Sequence, residues 1–137
     1  MVLLRLLDGI DVFKLLEQFM LAESNWQRLP QSERLGMMPV MADKPILVTA
    51  AIIQKGSKFL VAQRRSDSRV EANKWEFPGG KVEFLEHPEE GLAREIREEL
   101  DLKVRVGNLL TISSHIYQTG TSPLHIVLLA YLCQWES

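Results

Sequence analysis

Three glutamates in this chain have the spacing that a cation-binding helix surface requires. Glu95, Glu98 and Glu99 lie at i, i+3 and i+4, so in a helix they share one side and repel one another. Divalent cations such as Mg2+ prefer oxygen ligands, and a cation bound here would relieve that repulsion. The alternative is a solvated helical surface, which a glutamate cluster by itself usually indicates.

The glutamates fall within a segment whose pattern predicts a helix over residues 88–100. Pro88 is tolerated in a first helical turn, and Glu89 and Glu90 favour the positive end of the helix dipole. At about 100° per residue, a single apolar stripe is made by Leu92, Ala93, Ile96 and Leu100. The helix is therefore expected to pack on a sheet and to present its carboxylates at the border of the core.

Runs with strand character on both sides of this helix predict a mixed sheet. Residues 46–53 and 58–63 are β-rich and are separated by a hairpin turn at 54–57. A short extended piece at 75–77 ends at Pro-Gly-Gly, and two further strand-like runs follow the helix at 104–113 and 125–135. This order of elements predicts an α+β or layered α/β domain.

The N-terminal part of the chain has a different pattern. Residues 2–22 have the periodicity of an amphipathic helix, and residues 24–43 are typical of a linker. The apolar positions of the predicted helix are Leu3, Leu6, Leu7, Ile10, Phe13, Leu16 and Met20. The predicted organisation is an N-terminal helix and linker over residues 1–44, followed by one domain over residues 45–137.

Length and composition limit the class of protein. A chain of 137 residues suits a single domain, and its net charge of −2 gives no general attraction to nucleic acid or anionic membrane. No segment approaches the ~18 apolar residues of a membrane span. The single cysteine, Cys133, excludes an internal disulfide and supports a reducing compartment. We therefore expect a cytoplasmic protein, without nucleic acid polymers or membranes as partners, in which Cys133 is buried and inert.

The residues around the glutamates extend the pattern to G-x5-E-x7-R-E-U-x-E-E-x-D-U, where U is apolar and the first position is Gly80. This pattern resembles the Nudix box of the Nudix hydrolases at every defined position except Asp101, where the family has glycine. Segment 73–81, Asn-Lys-Trp-Glu-Phe-Pro-Gly-Gly-Lys, is similar to the segment before the box in the MutT branch. With Gly80, Glu86 and Arg94 at these spacings, a metal site is favoured over a solvated surface.

The resemblance implies a Mg2+ site, which Mn2+ can also fill. Its ligands would be Glu95, Glu98 and Glu99, with a further contribution from the backbone of Gly79. Glu95 is also the preferred candidate for the base that activates water, and Glu98 is the second catalytic glutamate.

Arg94, Gly80 and Glu86 complete the implied catalytic site. The guanidinium of Arg94 can hold a carboxylate in a fork geometry, and the family's equivalent orients the loop and the box glutamates. Gly80 lets the backbone turn tightly and approach a ligand closely. Glu86 would orient Arg94 or act on the metal from outside its direct ligands.

Three other residues would contact the substrate by the same resemblance. Phe77 would pack against a base or ribose, Arg65 would contact the nucleotide, and Lys81 would touch phosphate. The alternatives are a core aromatic for Phe77 and a solvated strand-end residue for Arg65. His115 and His125 lack metal-ligand spacing and are predicted to be structural.

The resemblance also implies a fold and a function. The fold would be the α/β/α sandwich-like Nudix fold of the α+β class, with the box helix packed on a mixed sheet. The enzyme would hydrolyse nucleoside triphosphates, including oxidised ones such as 8-oxo-dGTP, to nucleoside monophosphate and pyrophosphate, in nucleotide-pool sanitisation and DNA repair. Two alternatives stay open: a catalytically weak or truncated nucleotide-binding module, and a Nudix hydrolase of another nucleoside diphosphate derivative. The preferred base also stays open.

Both ends of the chain depart from the minimal family pattern. The chain stops where a typical relative continues with a loop, a strand and a C-terminal helix, so a shortened C-terminus is expected. Residues 1–44 have no counterpart in the minimal domain. We hypothesise that the N-terminal helix covers the sheet face left bare by the missing C-terminal helix, in the same chain or across a homodimer. Asp101 is expected to end the box helix in a left-handed conformation.

Overall fold

The computed structural model describes residues 3–9, 11–12, 14–16, 44–66, 73–119 and 122–137. Over these residues the named elements are seven strands and one helix. They are β1 (Leu3–Asp8), β2 (Ile46–Lys55), β3 (Lys58–Gln63), β4 (Trp75–Glu76), β5 (Gly79–Lys81), α1 (Pro88–Leu100), β6 (Val104–Thr119) and β7 (Ser122–Trp135). The predicted linker over residues 24–43 lies outside the described residues.

The strands form a mixed sheet, as the sequence predicted. Their order is β1-β3-β2-β7-β6, with β4 paired to β3 and β5 paired to β2. Strands β2 and β7 run parallel over eight residue pairs, whereas the other pairings are antiparallel. Strand β2 therefore lies between β5 and β7 along its first half and reaches β3 only near the hairpin.

Two hairpins differ in how well the sequence predicted their extent. The β2–β3 hairpin closes through Gly56 and Ser57, and Gly56 has φ 62°, a conformation that favours glycine. Strands β6 and β7 extend beyond the predicted ends at residues 113 and 125, because cross-strand pairing continues to Thr119 and Ser122. The polar residues near Ser113 obscure this extension in the sequence.

Alternation along β2 gives the sheet two apolar faces. Ala51 and Ile53 belong to one core cluster and Ala50 and Ile52 to the other. The helix face is the cluster Ala51, Ile53, Leu60, Leu92, Ile96, Val104, Tyr131 and Cys133. The cavity face is the cluster Leu16, Ala50, Ile52, Val61, Phe77, Leu128 and Ala130.

Helix α1 begins and ends at the predicted residues. Its first turn is closed by a hydrogen bond from the backbone N–H of His87 to the Glu90 carboxylate, 3.2 Å long. At the other end Asp101 has φ 52° and ψ 33°, and its N–H donates to the Arg97 carbonyl at 3.1 Å. The left-handed helix end that the sequence predicted at Asp101 is confirmed.

The helix predicted over residues 2–22 is wrong for its first part. Residues 3–8 are strand β1, which pairs antiparallel with β3 from Leu3↔Gln63 to Asp8↔Lys58. The exposed edge of β3 offers backbone hydrogen-bonding groups to a passing segment, and this pairing outweighs the leucine periodicity. Val12 and residues 14–16 are helical, whereas Gly9 and Asp11 are not, and the remaining residues of the predicted helix lie outside the described residues.

Two further predictions concern burial and membrane insertion. Cys133 lies in the core, and burial raises the pKa of its thiol to about 11, so the predicted inert thiol agrees with its surroundings. Among the described residues, no helix has the length and apolar character needed to span a membrane.

Candidate active site

Strand β5 carries the Gly79-Gly80 pair directly against β2. Gly79 lies opposite Ala50 and Gly80 opposite Thr49, and the Gly80 carbonyl accepts a 3.3 Å hydrogen bond from the Thr49 hydroxyl. A Cβ added to Gly79 would lie 2.8 Å from the Thr49 carbonyl carbon, a contact that the backbone cannot relieve. The absence of a side chain therefore permits this close pairing.

Gly80 is also the point where α1 meets the strand. A Cβ at Gly80 would lie 2.5 Å from the carboxyl carbon of Glu95. The Glu95 side chain, which is 15% exposed, consequently rests against the β5 backbone. Gly80 also lines a cavity of the domain, and Glu95 contacts this glycine without being part of the cavity lining.

Arg94 links the box loop to the box helix. Its Nε and Nη2 atoms donate to the two carboxylate oxygens of Glu86 at 3.1 and 2.8 Å. Its Nη1 atom donates to Glu95 at 2.8 Å and to Glu98 at 3.1 Å, and Nη2 also donates to the Lys81 carbonyl at 3.2 Å. One guanidinium therefore holds three carboxylates and the end of β5 in fixed relation.

Electrostatics of this network favour its charged form. Hydrogen bonds from Arg94 and from the Glu83 backbone lower the pKa of Glu86 to about 2. In turn, hydrogen bonds to the carboxylates of Glu86 and, second, Glu95 raise the pKa of Arg94. Glu86 thus remains ionised and keeps Arg94 oriented at neutral pH, as the sequence analysis proposed for this pair.

The loop before α1 is a tight turn that Glu86 closes. The N–H of Glu83 donates to the Glu86 carboxylate at 2.6 Å, and the N–H of Glu86 donates back to the Glu83 carbonyl at 3.3 Å. Within this turn Leu85 has φ 66°, an unfavourable conformation for a residue with a Cβ. Phe84 and Leu85 are 90% and 89% exposed.

The glutamates of α1 provide a donor set suited to a hard cation. Although Glu99 is exposed as a residue, desolvation of its carboxyl group and the charges of Glu95 and Glu98 raise its pKa. A divalent cation would offset these effects by favouring the ionised form of Glu99. Across the described residues no group of three or more acidic, His or Cys side chains is arranged to hold a metal ion, and Glu95 and Glu98 bond to Arg94 instead.

A cavity of about 420 Å³ opens beside these residues. Of the predicted substrate-contacting residues, Phe77 and Lys81 line it, whereas Arg65 is exposed and outside its lining. Phe77 is also 7% exposed and part of the cavity-face cluster, so it is a core aromatic that lines the cavity. Its contact with a base or ribose stays a prediction.

Arg64 and Glu76 form a charged pair in the cavity lining that sequence reasoning missed. Arg64 Nε lies 2.8 Å from a carboxylate oxygen of Glu76. Burial raises the pKa of Glu76, Arg64 opposes this shift, and the charge of Glu99 adds to it.

Tyr117 and Leu15 also line the cavity, and the sequence did not single them out; Leu16, another lining residue, was named only as an apolar position of the predicted N-terminal helix. Tyr117 packs edge-on against His115, with ring centroids 4.2 Å apart. His115 is 1% exposed within the sheet, and His125 is half-buried on β7, which agrees with the structural roles predicted for both.

The fold and this arrangement of loop, helix and glycine pair define the class of the protein. A NUDIX domain model matches residues 44–137. The chain therefore belongs to the Nudix hydrolase family, and its similarities lie with MutT-like members.

Three relatives illustrate these similarities. The chain is 42% identical over 83 residues to the CTP pyrophosphohydrolase of Escherichia coli, a match that covers 61% of this chain and 59% of that protein. It is 37% identical over 100 residues to the 8-oxo-dGTP diphosphatase of Proteus vulgaris, covering 71% and 85% of the two chains. The crystal structure of a MutT NUDIX hydrolase from Burkholderia pseudomallei matches with a TM-score of 0.60 and 31% identity, over 69% and 71%.

Proposed function

We propose that this protein hydrolyses nucleoside triphosphates, including oxidised ones, to nucleoside monophosphate and pyrophosphate. The observation that carries the proposal is the contact of Glu95 with Gly80, a glycine that lines the same cavity as Phe77 and Lys81. A nucleoside in that cavity would place its phosphates beside the α1 carboxylates. The names of the two relatives, a CTP pyrophosphohydrolase and an 8-oxo-dGTP diphosphatase, support the same substrate class.

The residues that would hold the metal are Glu95, Glu98 and Glu99, with the backbone of Gly79. Their carboxylate oxygens suit Mg2+ and Mn2+. A bound metal of this kind neutralises phosphate charge and lowers the pKa of coordinated water.

The chain's own residues supply orientation and proton transfer. Arg94, fixed by Glu86, sets the position of Glu95 and Glu98. Glu95 is our candidate base: it would take a proton from the attacking water as the new P–O bond forms and the bridging P–O bond to the leaving group breaks. A water molecule is thereby consumed, and pyrophosphate and monophosphate are released.

The cavity residues would bind the nucleoside. Phe77 would offer an aromatic surface for the base, and Lys81, which lines the same cavity on the strand that carries the glycine pair, would meet phosphate. Arg64 and Glu76 present a donor and an acceptor in the same cavity. Arg65 is retained as a candidate nucleotide contact, although it lies outside the cavity lining.

The test measures the products of hydrolysis by the purified chain with Mg2+: pyrophosphate from CTP, dGTP and 8-oxo-dGTP, and AMP from ADP-ribose. We expect activity on a triphosphate, its loss with EDTA and its recovery with Mn2+. Replacing the base in Glu95→Gln should lower kcat by about 10²- to 10⁴-fold.

Glu90→Gln is the matched control for that variant. It removes a carboxylate from the same helix, and glutamine retains the capping hydrogen bond to His87. Its activity should stay close to that of the unmodified chain. Release of phosphate instead of pyrophosphate would contradict the proposed bond cleavage. Binding without turnover in the folded, metal-loaded chain would favour the nucleotide-binding module.

A further inference from the structure

The N-terminal segment is fixed to the domain by more than strand pairing. At the end of β1, the Asp8 carboxylate accepts a 2.6 Å hydrogen bond from Ser57 and lies 3.6 Å from the Lys58 ammonium group. Near its middle, the Arg5 guanidinium stacks over the Trp75 ring at 5.2 Å. The segment is therefore held to the β2–β3 hairpin and to β4, next to Glu76 and Phe77.

After β1 the chain turns back over the cavity face. Gly9 has φ 67°, which permits a sharp change of direction. Asp11 then begins a helical turn: its carboxylate accepts from the N–H of Lys14 at 3.1 Å, and its carbonyl accepts from the N–H of Leu15 at 3.0 Å. Val12, Leu15 and Leu16, at i, i+3 and i+4, share one side of this turn.

That side of the turn packs on the cavity face. Leu16 is 5% exposed and belongs to the cavity-face cluster, while Val12 and Leu15 are partly buried against it. Leu15 and Leu16 line the cavity together with Phe77, Glu76 and the glycine pair, whereas Val12 does not. Val12, Leu15 and Leu16 therefore pack on the cavity face of their own chain. That an N-terminal helix covers the face left bare by a missing C-terminal helix stays a prediction.

The family model begins at residue 44, so Leu15 and Leu16 lie outside the conventional domain. Two walls of the cavity consequently have different origins. Glu76, Phe77 and Gly80 belong to the matched region, and the two leucines come from a segment that precedes it. A ligand held in this cavity touches both.

We propose that Leu15 and Leu16 are specificity-determining residues that form an apolar wall against the nucleobase of the substrate. The ligand class is a planar nitrogen heterocycle, because the lining combines aliphatic and aromatic side chains with one charged donor–acceptor pair, Arg64 and Glu76. This inference rests on the proposed function and assigns base selection in part to the N-terminal segment.

Leu15 is the better residue to change, since it is partly buried and Leu16 is a core residue. The experiment measures binding of nucleoside monophosphates to the full chain without metal, by calorimetry, over all four bases and 8-oxo-guanine. Leu15→Ala should weaken binding of the preferred monophosphate by about fivefold through lost apolar contact. In steady-state hydrolysis the change should appear in KM, with kcat little altered.

Val12→Ala is the matched control, because Val12 packs on the same cluster from the same turn but does not line the cavity. Its binding constants should stay within about twofold of those of the unmodified chain. In Leu15→Trp, which narrows the cavity, purine binding should fall more than pyrimidine binding. A merely structural role would not produce this dependence on base size.

The outcomes separate this inference from the proposed function. Equal effects of Val12→Ala and Leu15→Ala, or no effect of any Leu15 change in a folded, active protein, would overturn the specificity role alone. A folded chain that binds and hydrolyses no nucleotide would overturn both proposals.

Discussion

The two faces of the sheet are built from neighbouring residues of the same strand but have different uses. On the helix face, Leu92 and Ile96 of α1 fill the space above Ala51 and Ile53, and both are almost fully buried. On the cavity face, Ala50 and Ile52 are covered partly by an N-terminal turn, and a cavity remains beside Phe77. Strand alternation makes both faces apolar, but only the covering segment decides whether a face becomes core or pocket.

This difference explains the placement of the candidate active site. Strand β5 and the α1 glutamates meet at Gly80, where the helix side of the domain reaches the cavity. The helix face is densely packed and anchors the helix that carries the carboxylates. The cavity face has room for a ligand, and its covering turn comes from outside the family domain.

The largest expected effect on stability concerns the helix face and tests whether that face is a fully packed core. Leu92 has no exposed surface, so Leu92→Ala should lower the free energy of unfolding by about 2–5 kcal/mol through lost burial and a residual cavity. Leu15→Ala, on the partly open face, should cost less. Urea denaturation with unchanged m-values would measure both. Equal losses for the two variants would contradict the division into core and pocket.

A second prediction concerns the ion pair between Arg94 and Glu86, at the border of the two faces. Glu86→Gln removes the charge that orients Arg94, so turnover should fall by about 10- to 100-fold. Cavity binding of a nucleoside monophosphate without metal should change little, because Glu86 does not line the cavity. A parallel loss of binding would show that the two regions are not separable in this way.

The same variant has a defined pH dependence of stability. The pKa of Glu86 falls from 4.5 to about 2 in the folded chain, so its ion pair stabilises the fold above pH 4.5. That contribution is lost as pH falls from 4.5 towards 2, because the carboxylate becomes protonated. The difference in urea midpoint between the unmodified chain and Glu86→Gln should therefore shrink over this range. A difference that stays constant would exclude the ion pair as its cause.

The smallest expected effects come from two residues with a left-handed backbone conformation that belong to neither core cluster. Leu85 has φ 66°, and Leu85→Gly should raise the free energy of unfolding by up to about 1 kcal/mol by removing the clash at Cβ. Asp101→Gly, at φ 52°, should gain less, since a short polar side chain tolerates this conformation better. Thermal unfolding of both variants measures the gains. A greater gain for Asp101→Gly would be inconsistent with this account.

Local sequence patterns predicted the parts of the site that depend on one segment. The limits of α1 follow from Pro88, its apolar stripe and the residue that ends it, Asp101. The hairpin at Gly56 is predicted by a short turn between two β-rich runs. These features hold because helix and turn formation depend on residues within a few positions of one another.

Contacts between distant segments could not be predicted in the same way. Leucine periodicity predicted a helix where β1 is a strand, because the pattern cannot include the hydrogen bonds offered by the edge of β3. The Arg64–Glu76 pair was missed for a similar reason: Arg64 follows the end of β3 and Glu76 is on β4, and nothing near either residue indicates the other.

The sequence by itself determined a helix with three glutamates on one side, the glycine pair before it and membership of the Nudix family. Only the tertiary structure decided that Glu95 lies against Gly80, that Arg94 joins three carboxylates, and that two leucines complete a cavity. The physical reason is how far apart in the sequence the contacting residues are. Spacing along one helix fixes which side chains share its surface, whereas a pocket exists only after segments far apart in the chain have packed together.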